Sequence, residues 1–221
     1  AIPAFNEEKY IGTVVLQTRQ YVDEVIVVDD GSTDQTTNVA KLAGATVIQH
    51  KQNKGYGASI QTLLAEAKKR DLDILVLLDA DSQHNPNEIP SLIKPVSEGL
   101  DLIIGSREKQ RANIPVYRHI GQRLISYFSG ILSGQKLYDS ESGFRVFSKK
   151  AIAMLELSEN GMAISAETIA RAADNDLKIT ERPISIRYTK DGSTLHPVAH
   201  GFEVLSRIIV MISEKRPLFF F

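Results

Sequence analysis

Two aspartates separated by one residue, Asp79 and Asp81, are the side chains of this sequence best suited to bind a metal ion. They follow an apolar run, so both are expected where a buried strand ends, with the Gln83 amide oxygen as a third candidate ligand. Such oxygens suit Mg²⁺ or Mn²⁺, and Mg²⁺ commonly binds substrate phosphates as well. A cation there would offset the charge of a departing diphosphate. Alone, the pair is more typical of a solvated acidic turn before a helix, and its place after a buried strand makes the metal site about as good an interpretation.

Two glycine-containing loops are candidates for nucleotide binding. In residues 29–34, Asp30 is placed to accept hydrogen bonds from a base or ribose, although an Asx turn and helix N-cap would explain the same residues. Residues 53–58 lead into a predicted helix whose N-terminus attracts anions, and Lys54 adds positive charge. This second loop is neither a Walker loop nor a dinucleotide-binding fingerprint. An ordinary loop remains the alternative.

Arginines of the second half form a third candidate group. Guanidinium groups bind phosphate through paired hydrogen bonds, so these residues could line a pocket for an anionic acceptor. Most exposed arginines only improve solubility, which is the alternative for each of them. The candidates are Arg107, Arg111, Arg118, Arg123, Arg145 and Arg187.

The elements that must position these residues follow from the apolar pattern. Short apolar runs predict strands near 25–28, 45–49, 73–78 and 100–105, and helices are predicted over 34–43, over 56–69 and from Pro86. Strands that are apolar throughout and separated by helices indicate a mostly parallel sheet covered on both faces, a doubly wound α/β fold. Ligands of such sheets bind outside the carboxyl ends of the strands, where the acidic clusters fall.

The second half is less regular but is predicted to complete one domain over 1–221. Helices are predicted over 118–134, around 163–175 and over roughly 199–214, with a strand at 179–186. A length of 221 residues with 43% hydrophobic residues suits a single globular domain.

Composition excludes several classes of protein and leaves the role of the C-terminal end open. A net charge of −1 gives no general attraction to nucleic acid. The absence of cysteine excludes a disulfide framework and thiolate metal sites, and it fits a reducing compartment. The sequence ends in Arg-Pro-Leu-Phe-Phe-Phe, which is as typical of an apolar tail that packs on the domain as of a junction to a transmembrane or interfacial segment.

The ordered set of motifs resembles family-2 inverting glycosyltransferases of the GT-A fold, and within them the dolichyl- or polyprenyl-phosphate sugar transferases. The motifs are PAFNEE at 3–8, VVDDGSTD at 27–34, NKGYGA at 53–58, LLDADSQH at 77–84, GSR at 105–107 and SGFR at 142–145. The resemblance covers nearly the whole chain, and residues 216–221 resemble the junction where some members enter transmembrane helices, which favours a following membrane segment. It implies a nucleotide-sugar-binding half over 1–110 and an acceptor-binding half over 111–221.

The resemblance also implies residue roles. The nucleotide-sugar pocket would comprise Pro3, Ala4, Asn6, Glu7, Asp30, Lys54, Gly55, Asp79 and Ala80. The metal would be held by Asp79, Asp81 and Gln83. Phosphate would be approached by Arg107, Arg145 and Arg187, with Arg118 and Arg123 competing for one further position. The catalytic residues would be Asp139, Arg145 and Asp81, and Glu167 matches a helix glutamate of the same region without a defined role.

The implied reaction is an in-line displacement with inversion at the anomeric carbon. The donor would be GDP-mannose, UDP-glucose or UDP-N-acetylglucosamine, and the acceptor a polyprenyl or dolichyl phosphate at the cytoplasmic face of a membrane. Because a lipid phosphate is already ionised at pH 7, Asp139 is expected to orient more than to abstract a proton. Alternatives are a glycan or other non-lipid acceptor, a sugar nucleotidyltransferase and a non-catalytic nucleotide-sugar-binding protein. An extra acid, Glu141, departs from the family pattern.

Overall fold

A computed structural model describes residues 1–107, 125–127, 130, 137–187 and 197–215. The strands are β1 (Ile2–Ala4), β2 (Ile26–Asp29), β3 (Thr46–Gln49), β4 (Ile74–Leu77), β5 (Leu102–Ser106), β6 (Arg145–Ser148) and β7 (Ile179–Pro183). The helices are α1 (Ile11–Thr18), α2 (Thr36–Leu42), α3 (Tyr56–Lys69), α4 (Ile89–Ser97), α5 (Lys149–Met154), α6 (Ile164–Asp174) and α7 (Pro197–Lys215). A single 3₁₀ turn, Pro86–Glu88, precedes α4.

The described strands form two hydrogen-bonded sets that lie edge to edge. β1, β2 and β3 are parallel, whereas the second set has the order β4-β6-β5-β7. The amino group of Ala1 donates a hydrogen bond to Val76 O at 2.7 Å, and Ala1 O accepts one from Leu78 N–H at 3.1 Å. These two bonds place β1 alongside β4, so the strand order reads β3-β2-β1-β4-β6-β5-β7.

Helices cover both faces of this sheet, as the sequence predicts. Alternate residues of each strand point to opposite faces. Val27 and Val76 therefore pack in one apolar cluster together with α1, α2 and α4. Val28 and Leu77 pack in a second cluster together with α3, α5 and α6. The strands are apolar throughout because both of their faces are buried.

Strand β6 was not predicted, and it matters for the site. β6 is antiparallel to both of its neighbours, with Arg145 opposite Leu77 of β4 and Ile104 of β5. A parallel arrangement would have put residues 140–144 at the far edge of the sheet. Because β6 runs the other way, the loop before it lies at the same edge as the carboxyl ends of β4 and β5.

The helix predictions are mostly confirmed, with one omission and one uncovered segment. α3, α6 and α7 fall at the predicted positions within one or two residues. α1 was not predicted, although Ile11, Val14, Val15 and Thr18 are buried at helical spacing. The predicted strand at 179–186 ends earlier, at Pro183. The predicted helix over 118–134 lies outside the described residues except at 125–127 and 130, which are helical.

Candidate active site

The carboxyl edge of the sheet gathers predicted site residues from several strands. Asn6 and Glu7 follow β1, Asp30 follows β2, Asp79 and Asp81 follow β4, and Arg107 follows β5. Arg145 opens the antiparallel β6 at this same edge. The placement predicted from the strand pattern is thus the one observed.

Asp79 and Asp81 form an acidic corner directly after β4. Gln83 donates its backbone N–H to Asp81 Oδ1 at 2.9 Å and its side-chain Nε2 to Asp81 Oδ2 at 2.7 Å. Gln83 therefore orients Asp81 through its nitrogen atoms. Its direct ligation of a metal stays a prediction.

The acidic corner carries more negative charge than its surroundings compensate. Burial raises the pKa of Asp81, and the neighbouring Asp79 carboxylate raises it further. Burial also raises the pKa of Glu7, from an ordinary 4.5 to about 7, with further contributions from Asp81, Asp79 and Asp34. Carboxylates that raise one another's pKa resist ionising together, and a divalent cation relieves that repulsion.

The oxygen donors of this corner fit a hard divalent cation. Within the ranges that the structure describes, no three or more His, Cys, Asp or Glu side chains are grouped to hold a metal ion. Mg²⁺ bound through one or two carboxylates keeps several waters and takes substrate phosphates as further ligands. Asp79 and Asp81 therefore suit a cation that is completed by a diphosphate, in contrast to a permanently caged ion.

The segment after β1 is fixed to the loop after β2. Asn6, at a positive φ of 55°, donates its N–H to Ser32 Oγ at 2.8 Å and accepts from Thr33 N–H through Oδ1 at 2.9 Å. Glu7 donates its N–H to Thr36 Oγ1 at 2.7 Å. These bonds hold the Glu7 side chain near the acidic corner. Three other predicted pocket residues are buried, two of them in β1 and one shortly after β4: Pro3, Ala4 and Ala80.

Asp30 holds the second glycine-containing loop in place. Its Oδ1 accepts from Lys54 N–H at 2.9 Å and contacts His50 Nδ1 at 2.7 Å, and its Oδ2 accepts from Gly55 N–H at 2.8 Å. The carboxylate is buried, and both of its oxygens are engaged within the chain. Contact of Asp30 with a base or ribose stays a prediction, whereas its hold on the loop is observed.

The N-terminus of α3 is capped from within the chain. Gly57 and Ala58 donate their N–H groups to Asn160 O at 2.7 and 3.3 Å. A Cβ at Gly57 would lie 2.2 Å from Glu159 O, so only glycine permits this approach. These N–H groups are therefore engaged by a carbonyl, where the sequence suggested that they attract an anion. The Lys54 side chain is exposed beside this turn.

Both carboxylate oxygens of Asp139 accept hydrogen bonds from an arginine side chain. Arg107 donates Nε to Asp139 Oδ2 and Nη2 to Oδ1, both at 2.6 Å, and its backbone N–H also donates to Oδ2 at 2.9 Å. Asp139 donates its own N–H to Glu181 Oε1 at 2.7 Å. A carboxylate bound in this way is poorly placed to take a proton from an acceptor. The catalytic assignment of Asp139 and the phosphate contact of Arg107 stay predictions.

Arg145 is buried, with 2% of its surface exposed. Its guanidinium donates to three backbone carbonyls, those of Ser142 at 2.9 Å, Ser165 at 3.1 Å and Ser140 at 2.6 Å. These bonds join the 140–144 loop to the start of α6. Arg145 therefore organises this loop. Its contact with phosphate stays a prediction.

The extra acid Glu141 lies beside Arg145, and it gives stability a measurable pH dependence. Burial raises the pKa of the Glu141 carboxyl from 4.5 to about 7; Asp139 adds to this effect, and Arg145 opposes it. Because folding raises this pKa, the stability contributed by the protonated Glu141 carboxyl is fully present below pH 4.5. It is lost as the pH rises through 7, because the carboxyl ionises more readily in the unfolded chain. We therefore expect the Tm of Glu141→Gln, relative to wild type, to rise from pH 5 to pH 8 in differential scanning calorimetry. A constant difference in Tm would contradict the raised pKa.

Of the three other predicted phosphate-binding arginines, one lies among the described residues. Arg187 is exposed, and its backbone N–H donates to Gln83 O at 3.0 Å, so its backbone lies close to the acidic corner. Arg118 and Arg123 lie outside the described residues, and the choice between them stays open.

Glu167 acquires a structural role that the sequence did not define. Its oxygens accept from Ser158 N–H at 3.0 and 3.1 Å, from Ser158 Oγ at 2.7 Å and from Glu159 N–H at 2.8 Å. Glu159 in turn pairs with Arg207 of α7 at 2.7 Å. Glu167 thereby fixes the loop that caps α3.

We expect Glu167→Gln to lower the free energy of unfolding by about 1–3 kcal/mol, because its amide NH₂ would face backbone donors. Urea denaturation measures this change. Glu98→Gln, at an exposed position, is the matched control and should change little. Equal denaturation midpoints for the two variants would refute the anchoring role of Glu167.

Three residues around Asp79 were not predicted to act on it. Tyr56 donates its hydroxyl to Asp79 Oδ1 at 3.1 Å, and His84 Nδ1 accepts from Asp79 N–H at 3.2 Å. Burial of the hydroxyl, together with Asp79, raises the pKa of Tyr56 well above 10. Gly143 lies against the Asp79 carboxylate, since a Cβ there would be 2.5 Å from Oδ2. All three residues stand inside motifs that were noted for other reasons, so motif membership was the available signal.

The sequence of the first 155 residues matches the family model described as Glycosyl transferase family 2. The UDP-N-acetylglucosamine–dolichyl-phosphate N-acetylglucosaminyltransferase of Methanococcus voltae is 34% identical, covering 97% of this chain and 95% of its own length. The polyprenol monophosphomannose synthase of Mycolicibacterium smegmatis is 29% identical, covering 83% of this chain and 75% of its own.

The fold is that of a solved structure. Glucosyl-3-phosphoglycerate synthase from Mycobacterium tuberculosis, in complex with UDP, superimposes with a TM-score of 0.76 over 95% of this chain and 78% of that chain. The identity is 23%, so this similarity concerns the fold alone. The predicted GT-A architecture is thereby confirmed.

Proposed function

Because this chain belongs to glycosyl transferase family 2 and is a glycosyltransferase, we propose that it transfers a sugar from a nucleoside diphosphate donor to polyprenyl or dolichyl phosphate, with Mg²⁺ or Mn²⁺. The observation that carries the proposal is the acidic corner of Asp79 and Asp81 at the carboxyl edge of the sheet. Beside it, burial and the neighbouring carboxylates raise the pKa of Glu7 to about 7. A diphosphate is itself anionic, so it needs a cation to approach this corner.

Asp79 and Asp81 would hold the cation, which when bound supplies charge neutralisation for the departing diphosphate. The M. tuberculosis synthase of the same fold has been crystallised with Mn²⁺ or Mg²⁺ and UDP, which supports the same pairing here. The M. voltae relative is named for a UDP-sugar, so UDP-N-acetylglucosamine is the first donor to test. GDP-mannose and UDP-glucose follow.

The state of Asp139 favours a phosphate acceptor over a hydroxyl acceptor. An alcohol needs a base to remove its proton during attack, whereas a phosphomonoester has a second pKa of about 6 and is already an anion. Both oxygens of Asp139 accept hydrogen bonds from Arg107, so this carboxylate is unsuited to that task. An acceptor that requires no base matches such a site.

The proposed reaction is a single displacement at the anomeric carbon. An acceptor phosphate oxygen forms the new bond to that carbon as the bond to the donor diphosphate oxygen breaks, and configuration inverts. The work of the chain is positioning. Asp30 fixes the loop at Lys54 and Gly55, and Arg145 fixes the loop that ends at β6.

The enzyme assay separates this proposal from its alternatives. Purified protein, Mn²⁺, radiolabelled donor and polyprenyl phosphate in detergent should yield labelled glycolipid in the organic phase and nucleoside diphosphate in equal amount. Release of pyrophosphate would instead indicate a nucleotidyltransferase. Donor binding without turnover on any acceptor would indicate a non-catalytic binding protein.

A hydroxyl acceptor is the second candidate, and Glu141 is the observation that favours it. Its buried carboxyl has a pKa of about 7, in the range of a general base. If the acceptor is an alcohol, Glu141→Gln should abolish transfer to it. If the acceptor is a phosphate, the variant should retain most of its rate. Comparison of polyprenyl phosphate with the corresponding polyprenol decides between the two.

A polyprenyl phosphate resides in a bilayer, so the enzyme is proposed to work at a membrane surface, on the cytoplasmic side that the family resemblance implies. Ile209 and Val210 of α7 are 36% and 43% exposed, whereas Val204 and Ile208 of the same helix are buried. Within the described ranges, no helix combines the length and the apolar character needed to span a bilayer.

We expect the double variant Ile209→Asp/Val210→Asp to weaken binding to phosphatidylglycerol vesicles by about tenfold or more, because charged residues do not enter the apolar layer. Vesicle flotation measures the bound fraction. Leu42→Asp is the matched control, since Leu42 is 88% exposed on α2, away from α7. Equal loss in both variants, or loss in neither, would contradict a specific role for α7.

A further inference from the structure

Asp79, the first of the two corner aspartates, is held from three sides. Tyr56 donates its hydroxyl to Oδ1 at 3.1 Å, and Asp79 N–H donates to His84 Nδ1 at 3.2 Å. Gly143 leaves no side chain between its backbone and the carboxylate. The orientation of this carboxylate is therefore set by its neighbours before any ligand arrives.

Tyr56 is itself fixed by the ends of two loops. It is the first residue of α3 and follows Gly55, whose φ of 101° favours glycine. Gly55 N–H is held by Asp30 Oδ2 at 2.8 Å, and Gly57 N–H by Asn160 O at 2.7 Å. These bonds anchor the backbone on both sides of Tyr56, and its hydroxyl reaches Asp79 from the first residue of a helix.

The contact with Gly143 completes the enclosure. A Cβ at position 143 would lie 2.5 Å from Asp79 Oδ2 and 2.6 Å from Oδ1, closer than carbon and oxygen atoms approach. Any larger residue would push the carboxylate away from its present position. Tyr56 and Gly143 thus constrain the same two oxygen atoms.

We propose that Tyr56 is a positioning residue for the cation site, fixing the Asp79 carboxylate in the orientation that binds the metal. Tyr56 acts through Asp79 and contacts neither sugar nor cation in this role. The inference rests on the proposed metal role of Asp79 and Asp81. Partners that orient metal ligands commonly change metal affinity when they are removed.

The test is a Mn²⁺ titration followed by electron paramagnetic resonance, which counts unbound Mn²⁺ directly. Wild type and Tyr56→Phe are titrated with saturating UDP, or with GDP if only GDP stabilises wild type. We expect the Kd for Mn²⁺ to rise by about 10–100-fold in Tyr56→Phe, which loses only the hydroxyl. Tyr21→Phe is the matched control, because Tyr21 donates its hydroxyl to Asn87 Oδ1 at 3.0 Å and not to a carboxylate.

Two further measurements separate positioning from general damage. The Tm of metal-free Tyr56→Phe should stay near that of wild type, and turnover lost at low Mn²⁺ should return at high Mn²⁺. Gly143→Ala, which displaces the same carboxylate while keeping every charge, should also weaken Mn²⁺ binding. If Tyr56→Phe does not fold, Gly143→Ala carries the test.

The outcomes distinguish the inference from the proposed function. No Mn²⁺ binding by wild type with either nucleotide would overturn the metal role of the corner, and the inference with it. Tight binding by wild type and equally tight binding by Tyr56→Phe and Gly143→Ala would overturn the inference alone. Weaker binding in both variants, with an unchanged Kd in Tyr21→Phe, supports it.

Discussion

We expect Asp81→Asn to lower kcat/KM by about 10³-fold, because the cation that it helps to hold supplies several kcal/mol of charge stabilisation in the transition state. Asp79→Asn should have a similar effect. Folding should be preserved, since the burial of Asp81 and the repulsion from Asp79, which together raise its pKa, both act against the charged form that the variant removes. Initial rates at saturating Mn²⁺ and donor, with the Tm of each metal-free variant, measure both expectations.

Asp73→Asn is the control for these variants. Asp73 is a highly exposed aspartate at the opposite end of β4. Its carboxylate lies 3.4 Å from the ammonium group of Lys149 on the surface. Its replacement should leave kcat/KM within about twofold of wild type, as for exposed ion pairs in general. Rates near wild type for both Asp79→Asn and Asp81→Asn would refute the metal role.

Arg145→Ala has the largest expected effect on stability, a loss of about 3–5 kcal/mol, because a buried cation is removed and three carbonyls lose their donor. The carbonyls are those of Ser140, Ser142 and Ser165. Urea denaturation should show a lower midpoint. Arg145→Lys should fall between Ala and wild type, since one ammonium cannot reproduce the planar fork.

The control for Arg145 is an arginine on the surface. Arg70 pairs with Glu24 at 2.8 Å and Glu66 at 2.6 Å, and Arg70→Ala should cost about 1 kcal/mol or less. Arg145→Ala with wild-type stability and a selective rise in acceptor KM would contradict the organising role. That result would instead support the phosphate contact implied by the family resemblance.

The sequence predicted the parallel half of the fold well, because its strands carry their signal locally. Val27, Val28 and the run before Asp79 are apolar on both faces, which only a covered sheet explains. The acidic corner followed from the rule that ligands bind at carboxyl ends of strands.

The antiparallel strand β6 could not be predicted in the same way. It has four residues, and it begins with a charged arginine that reads as a loop or a ligand contact. Its direction depends on pairing with β4 and β5, which are far away in sequence. Long-range pairing of this kind leaves no local periodicity to detect.

Residue roles were the least predictable feature, because a side-chain type does not reveal its partner. Asp30 and Glu167 bind backbone N–H groups of other loops, and Arg145 binds carbonyls. Each was expected near a ligand, or had no defined role, from motif position alone. Tyr56 is the converse case, a residue without a predicted role whose hydroxyl contacts Asp79.

The most direct test of the account is a crystal grown with Mn²⁺ and UDP and measured at the manganese absorption edge. We predict an anomalous peak within bonding distance of carboxylate oxygens of both Asp79 and Asp81, and in contact with the diphosphate. A bound nucleotide with no such peak, or with manganese held at other residues, would contradict the account.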